Sequence, residues 1–413
     1  MTVLFVLNLA SSFLVLLWPI WFSTSVLRLN LINPFTLLLC LSLPFEIMKL
    51  YVGPLVLIDQ GLFDDGYQFA LLMTNLYSIM NILGLLFFFR LFCIMKLDDL
   101  FYKRFGYIRR KNIYRSAQIF FIVYILSMYQ LMSAEYGVVN WLLNPREGYQ
   151  LYRTGFGHWY ALSVSALSVS FLLFFLAKPE PRSLLWVTFW HMIMAFFLGS
   201  KGLIISLFAA SLVFMWFIRW KHLYKFLVLG TPIVFCLLLY NLYQALQDSF
   251  DILAIAQYFD YYKNAADYYN AFFNNEIRLY YGEIFLSSFW SYIPRFLFPD
   301  KPFVYGMTLI NEFFYPGQAE LTNTPGFGGA VLQFADFGLI GIFLYGFFSP
   351  ESIIVALTSS IIFKGRKIDF NKINVAIFVI LLIQYAPGFG SYLPTALYLV
   401  LLFMVVLTVR IKK

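Results

Sequence analysis

The chain has 413 residues, enough for two or three soluble domains, but 61% are hydrophobic, only 12% are charged and the mean hydropathy is +0.76. Soluble domains carry about 25% charged residues, so this chain lacks the charge to cover a water-facing surface. Its apolar residues fall into repeated runs of about twenty, the length that crosses ~30 Å of hydrocarbon as a helix. Composition excludes a soluble protein and points to an all-α polytopic membrane protein.

Eleven spans are predicted, at 3–22, 31–50, 67–89, 116–134, 158–177, 183–199, 202–218, 222–241, 330–363, 373–389 and 393–409. The first is longer than a signal-peptide core and has no preceding basic residue, so it reads as a retained span. The run 330–363 is long and contains Pro350-Glu351. One tilted or proline-kinked span keeps the basic loop 364–372 inside, whereas two short spans would export it. The predicted organisation is eight spans with short loops (1–241), a large loop (242–329) and C-terminal spans (330–413).

Charge placement sets the orientation. Lys96, Lys103, Arg104, Arg109, Arg110, Lys111 and Arg115 form one cluster. Arg219, Lys221 and Lys225 form a second, Lys364, Arg366, Lys367 and Lys372 a third, and Arg410, Lys412 and Lys413 a fourth. With Arg28, Arg90, Lys178 and Arg182, 21 of the 29 cations fall on one side, which the positive-inside rule makes the cytoplasm. The C-terminus is then inside and the N-terminus outside. The net charge of +8 belongs to membrane orientation and argues against a nucleic-acid partner. Cys40, Cys93 and Cys236 lie in apolar runs, with no metal-ligand spacing and no disulfide framework.

The outer loops differ in kind. Residues 242–328 hold nine carboxylates, four cations and a dense set of tyrosines, including Tyr258, Tyr261, Tyr262, Tyr268, Tyr269, Tyr280, Tyr281 and Tyr292. A loop this long is functional or disordered, and the aromatic and apolar residues running through it argue for folding. Within it, 279–298 is expected to form an amphipathic or re-entrant helix. A smaller outer loop, 135–157, contains Asn144-Pro145-Arg146-Glu147-Gly148 and Arg153. In the first outer loop, Asp64-Asp65 is either a paired-carboxylate site for a divalent ion or, as Asp-Asp-Gly more often is, a turn.

Eight cations remain outside: Lys49, Arg146, Arg153, Lys201, Lys263, Arg278, Arg295 and Lys301. Cations are disfavoured there, so a group of them suggests an anionic ligand; pairing with loop carboxylates is the alternative. Lys201 lies in the tight turn Gly199-Ser200-Lys201-Gly202, where an anion could approach the N-terminus of the following helix or the lysine could simply snorkel. Arg295 and Lys301 sit in Ile293-Pro294-Arg295-Phe296-Leu297-Phe298-Pro299-Asp300-Lys301-Pro302, whose prolines hold two cations at a set separation. Asp336 lies about two turns into a span, where carboxylates are functional or paired. Glu283, Asp336, Glu147 and His158 are the outer-side candidates for a general base. His158 could equally be a structural helix-boundary residue, His191 reads as a hydrogen-bonded packing residue, and His222 falls in an inner basic loop.

Taken together, Pro294-Arg295…Pro299-Asp300-Lys301-Pro302, Thr324-Pro325-Gly326 and Asp336-Phe337-Gly338-Leu339-Ile340-Gly341 resemble the bacterial oligosaccharide repeat-unit polymerases, the Wzy-type O-antigen and capsule polymerases. Gly199-Ser200-Lys201-Gly202 resembles the short outer turn where that family and the O-antigen ligases carry a basic residue, with Lys201 where arginine is commoner. The resemblance implies a GT-C-like helical bundle of about 11 transmembrane helices in the bacterial inner membrane, working on the periplasmic face. It further implies a glycosyltransferase that moves a growing glycan from undecaprenyl pyrophosphate onto a single lipid-linked repeat unit. No cofactor, nucleotide sugar or metal would be needed, and a separate chain-length regulator would be a partner. Lys201, Arg295 and Lys301, then Arg278, Arg146 and Arg153, would stabilise charge on the leaving pyrophosphate, while tyrosines, tryptophans and asparagines of the large loop would contact sugars.

Three other readings compete. A lipid-linked oligosaccharide flippase would place polar residues at the midplane of repeated halves, but few such charges and no repeat are present. An O-antigen ligase shares the donor but accepts lipid A core. A scaffold in a polysaccharide export complex would not require the outer cations.

Overall fold

The computed structural model describes residues 2–47, 56, 64–97, 107–108, 110–133, 136–151, 157–178, 180–218, 223–246, 262–293, 298–320, 326–363, 375–385 and 411–412. The chain forms two compact units that interleave in sequence: 1–95 with 248–364, and 96–247 with 365–413. They cut across the sequential division into spans, loop and spans.

In the first unit, α1 (Thr2–Trp21) and α2 (Pro34–Ile47) precede α3 (Asp65–Ile94), a 30-residue helix. At ~1.5 Å per residue α3 exceeds the ~30 Å of a hydrocarbon core. Asp64 caps it, accepting from Tyr67 N at 2.8 Å. The helices α11 (Lys263–Phe273), α14 (Val331–Phe347) and α15 (Pro350–Thr358), together with α1, pack on α3. Asn75 of α3 reaches across to α1, donating to Asn8 O at 3.2 Å and Ser12 Oγ at 2.9 Å. Such polar links hold helices together where lipid removes the hydrophobic drive.

The run 331–363 is apolar enough for one span, but it is bent twice. Ser349 caps α15 through Ser352 N and Pro350 takes its first position, so the proline begins a helix rather than kinking one. The second bend was not foreseen: Phe337 (φ −135°) and Gly338 (φ 62°, ψ −143°) break α14. Gly338 occupies backbone space that side chains exclude. Gly338→Ala is therefore expected to destabilise the protein by about 1–3 kcal/mol, read as a lower unfolding midpoint in detergent; an unchanged midpoint would show that the bend relaxes freely.

The aromatic residues of 262–320 make a core. Tyr262, Tyr268, Tyr269, Ile277, Ile284 and Ile310 are buried with Ala70, Leu71, Val331 and Phe334. Phe69–Tyr269 and Phe272–Phe334 meet at 5.0 and 5.2 Å, and Tyr269 Oη donates to Gly329 O at 3.0 Å. The expected helix over 279–298 is two short pieces, α12 (Glu283–Ser287) and a 3-10 turn at Ser288–Tyr292. After them comes α13 (Thr308–Phe314).

The second unit begins with α4 (Arg110–Met132), α5 (Val138–Leu143), α6 (Pro145–Leu151) and α7 (Gly157–Ala177). It continues with α8 (Pro181–Phe197), α9 (Lys201–Phe217), α10 (Leu223–Leu246) and α16 (Val375–Tyr385). Helix α7 is its centre, buried along nearly its whole length. Ser163 Oγ bonds Ser127 Oγ of α4 at 2.8 Å, and His191 of α8 is a packing residue between Val187 O (2.8 Å) and Ser170 Oγ (3.3 Å). A two-residue antiparallel pairing joins Tyr107–Ile108 to Ile411–Lys412, within two basic clusters that charge counting puts on one side.

Among the described residues, Phe5–Val26, Asp65–Ile94, Gly157–Ala177 and Val331–Phe363 are long and apolar enough to cross a membrane. Pro34–Pro44, Gly202–Phe217 and Leu223–Leu237 are shorter apolar helices. The protein is a multi-pass helical membrane protein. The predicted span 393–409 lies outside the described residues.

Candidate active site

In the first unit the candidate chemistry gathers where α14 breaks. The Asp336 carboxylate is 1% exposed and fully engaged. Its Oδ1 accepts from Gly282 N (2.8 Å) and Ile284 N (3.1 Å), and its Oδ2 from Phe285 N (3.0 Å) and Tyr345 Oη (3.2 Å). One strand of backbone thus closes around one buried side chain. Tyr280 N adds a bond to Ala335 O at 2.8 Å. The wrap needs a reversed backbone, supplied by Tyr281 (φ 49°) and Gly282 (φ 95°).

What this clamp presents is Glu283, the first residue of α12, with its side chain exposed. Burial, and secondarily the charge of Glu283, raise the pKa of the half-buried Tyr280 hydroxyl, which donates to Leu309 O at 3.3 Å. The two carboxylates therefore differ in kind: Glu283 is exposed, and Asp336 is committed to holding the segment that carries it. The three backbone partners of Asp336, fifty-odd residues upstream, carried no sequence signal.

Of the cations in this unit, Arg278 is exposed. Lys301 is buried to 8% exposure, its Nζ 3.0 Å from Ile293 O and 4.6 Å from the Tyr305 ring centre. The ammonium links Lys301 back to Ile293. Arg295 lies outside the described residues, as do Arg153 and Thr322-Asn323-Thr324-Pro325. Asp64 is bound by Tyr67 N and, at 2.5 Å, by Asn270 Nδ2, and among the described residues no group of three His, Cys, Asp or Glu could hold a metal.

In the second unit the structure brings two predicted elements together. Trp141 Nε1 donates to Phe197 O at 2.7 Å, docking α5 on the end of α8. Gly199 (φ 68°) then turns so tightly against Pro145 O and Tyr149 that no side chain fits. The Gly199-Ser200-Lys201-Gly202 turn and the Arg146 helix are thus neighbours at one end of the unit. Ser200 Oγ caps α9 through Leu203 N at 3.4 Å, with Lys201 as its first residue. The Arg146 guanidinium lies 4.9 Å from the Tyr149 ring, and Tyr149 meets Tyr160 of α7 at 5.4 Å. His158, two residues earlier on α7, is exposed. Glu147 accepts from Tyr136 Oη at 2.6 Å, a bond that raises the phenol's pKa.

Each unit thus carries its own arrangement, with exposed Arg278 and Glu283 in the first and half-buried Arg146 in the second. The chain is similar to the O-antigen polymerases of Salmonella typhimurium (strain LT2) and of Salmonella typhi, 28% identical to each over 259 residues. That stretch is 62% of this chain and 58% of each relative, so the match spans under two thirds of the curated relatives' length. The resemblance to Wzy-type polymerases read from the sequence is borne out by these relatives. No family model matches the chain, and no solved structure matches it.

Proposed function

We propose that this protein polymerises undecaprenyl-pyrophosphate-linked oligosaccharide repeat units into O-antigen or a related surface polysaccharide, on the periplasmic face of the bacterial inner membrane. The observation that carries the reading is the likeness to two O-antigen polymerases over 259 residues. Eleven spans, a GT-C-like bundle and a large periplasmic loop are the arrangement proposed with it.

In the proposed reaction a hydroxyl on the non-reducing sugar of the incoming unit attacks the anomeric carbon of the growing glycan. The carbon–oxygen bond to pyrophosphate breaks, and the lipid pyrophosphate leaves with the electron pair. Glu283 takes the hydroxyl proton as general base, Asp336 positions it, and His158 is the rival base in the other unit. Charge on the leaving group falls to cations rather than to a metal. In the second unit the candidates are Arg146 and Lys201, on neighbouring elements, with Arg153; in the first unit they are Arg278 and Arg295, and Lys301 is bonded to Ile293 O. Tyr281 is an exposed sugar-stacking candidate, whereas Tyr268 and Tyr269 are packing residues. A chain-length regulator is the proposed protein partner.

Purified protein incubated with lipid-linked repeat units should yield a ladder of products in the presence of chelator. Arg146→Ala and Lys201→Ala, each at normal membrane levels, should shorten it; losing a charge-assisted phosphate contact worth about 1.5–3 kcal/mol slows transfer roughly 10- to 100-fold. Full ladders from both variants would remove these residues from the site. Long lipid-linked polymer that never reaches lipid A core in cells would instead mark a ligase defect.

A further inference from the structure

We propose that the outer face of residues 284–289 is seated in the bilayer, with acyl chains of membrane lipid against Phe285, Leu286 and Phe289. This goes beyond the polymerase reading and does not rest on it; it needs only that α14 crosses the membrane. Phe285, Leu286 and Phe289 are 60%, 72% and 61% exposed, a single apolar face on α12 and the turn after it. That face is continuous with a surface lipid must already cover. The Phe285 ring meets Tyr345 of α14 at 5.9 Å and Tyr345 meets Phe337 at 6.3 Å, while Leu339, Ile340, Phe343 and Leu344 of α14 are all exposed.

The hydrogen bonding of the segment points the same way. Hydrocarbon offers no partner to a backbone donor, so every N–H must be satisfied internally. A five-residue helix in water leaves its first amides to solvent. Here Gly282, Ile284 and Phe285 N–H go to Asp336, Glu283 N–H to Tyr280 O at 3.1 Å, and Leu286 N–H to Gly282 O at 2.9 Å. The hydroxyls are likewise folded back: Ser287 donates to Glu283 O, Ser288 to Ile284 O and Ser291 to Ser288 O, at 2.6–2.7 Å. The carboxylate supplying three of these bonds stands on the span itself. Exposed Glu283, on the first turn, is then held at the edge of the lipid-facing patch.

The test is spin-label accessibility in full-length protein reconstituted in vesicles, with Cys40, Cys93 and Cys236 replaced by serine. Labels at Phe285→Cys, Leu286→Cys and Phe289→Cys are compared with Ile340→Cys on α14 and with Asn274→Cys in the exposed turn after α11. The expected result is an oxygen-to-aqueous-relaxant collision ratio several-fold above that at 274 and close to that at 340. A ratio like that at 274 overturns the proposal. So does a label reached by neither reagent, which would mean that protein, such as a second copy of this chain, covers the face. All five sites are exposed, so the substitutions leave the core intact.

Discussion

Glu283→Gln is expected to stop polymerisation, leaving cells with single capped repeat units while the variant reaches the membrane at normal levels. Glutamine keeps the shape and the exposure of the side chain but cannot take a proton. Losing a general base slows transfer by about 10²–10⁴-fold, which removes a ladder altogether. The measurement is product length from purified variant and lipid-linked repeats. A full ladder from Glu283→Gln would end its assignment as base. If His158→Ala abolishes the ladder instead, the base lies on α7.

Asp336→Ala is expected to damage the protein in a different way. Four donors lose their acceptor, three of them amides of the 282–285 turn. An unsatisfied buried donor costs about 1–3 kcal/mol, so four left without any new partner cost at least about 4 kcal/mol, and the loss falls on the clamp. Proteolysis within 280–292 should accelerate, the unfolding midpoint should drop, and activity should go with them. Asp336→Asn separates positioning from chemistry. Its amide oxygen still accepts from the turn, so partial recovery of stability and of the ladder fits a positioning residue. An Asn variant with an intact, protease-resistant segment and no activity would make Asp336 itself the base.

What the sequence disclosed, and what it did not, follows from the range of the interactions involved. Helices α3 and α7 are legible because a long apolar run is a local property. The bend at Phe337-Gly338 is not, because a glycine among apolar residues is unremarkable until something pulls the turn open. Here the pull comes from residues 282–285. The two units are invisible for the same reason: Asp64 with Asn270 and Asn81 with Ser352 are contacts over two hundred residues or more, and hydropathy carries no pairing information. In the candidate site, Glu283 and Asp336 were both selected as carboxylates in costly or outer positions, yet their different duties emerged only from their partners. The proline frame marks Lys301 in the sequence, but the ammonium turns to Ile293 O. Tyr268 and Tyr269 illustrate the limit of composition, since a tyrosine that packs and one that stacks on sugar look alike in a string.

The interleaving of the units has a consequence for biogenesis. Residues 1–95 emerge from the ribosome first, but the segment 248–364 that completes their unit follows only after the whole 96–247 block has been made. Domains assemble in the order their parts are synthesised, so α3 must wait in the membrane with the faces destined for α11, α14 and α15 still bare. The Asn8–Ser12–Asn75 link to α1 and the Phe22–Phe89 ring contact are among the contacts already available to hold it during that interval.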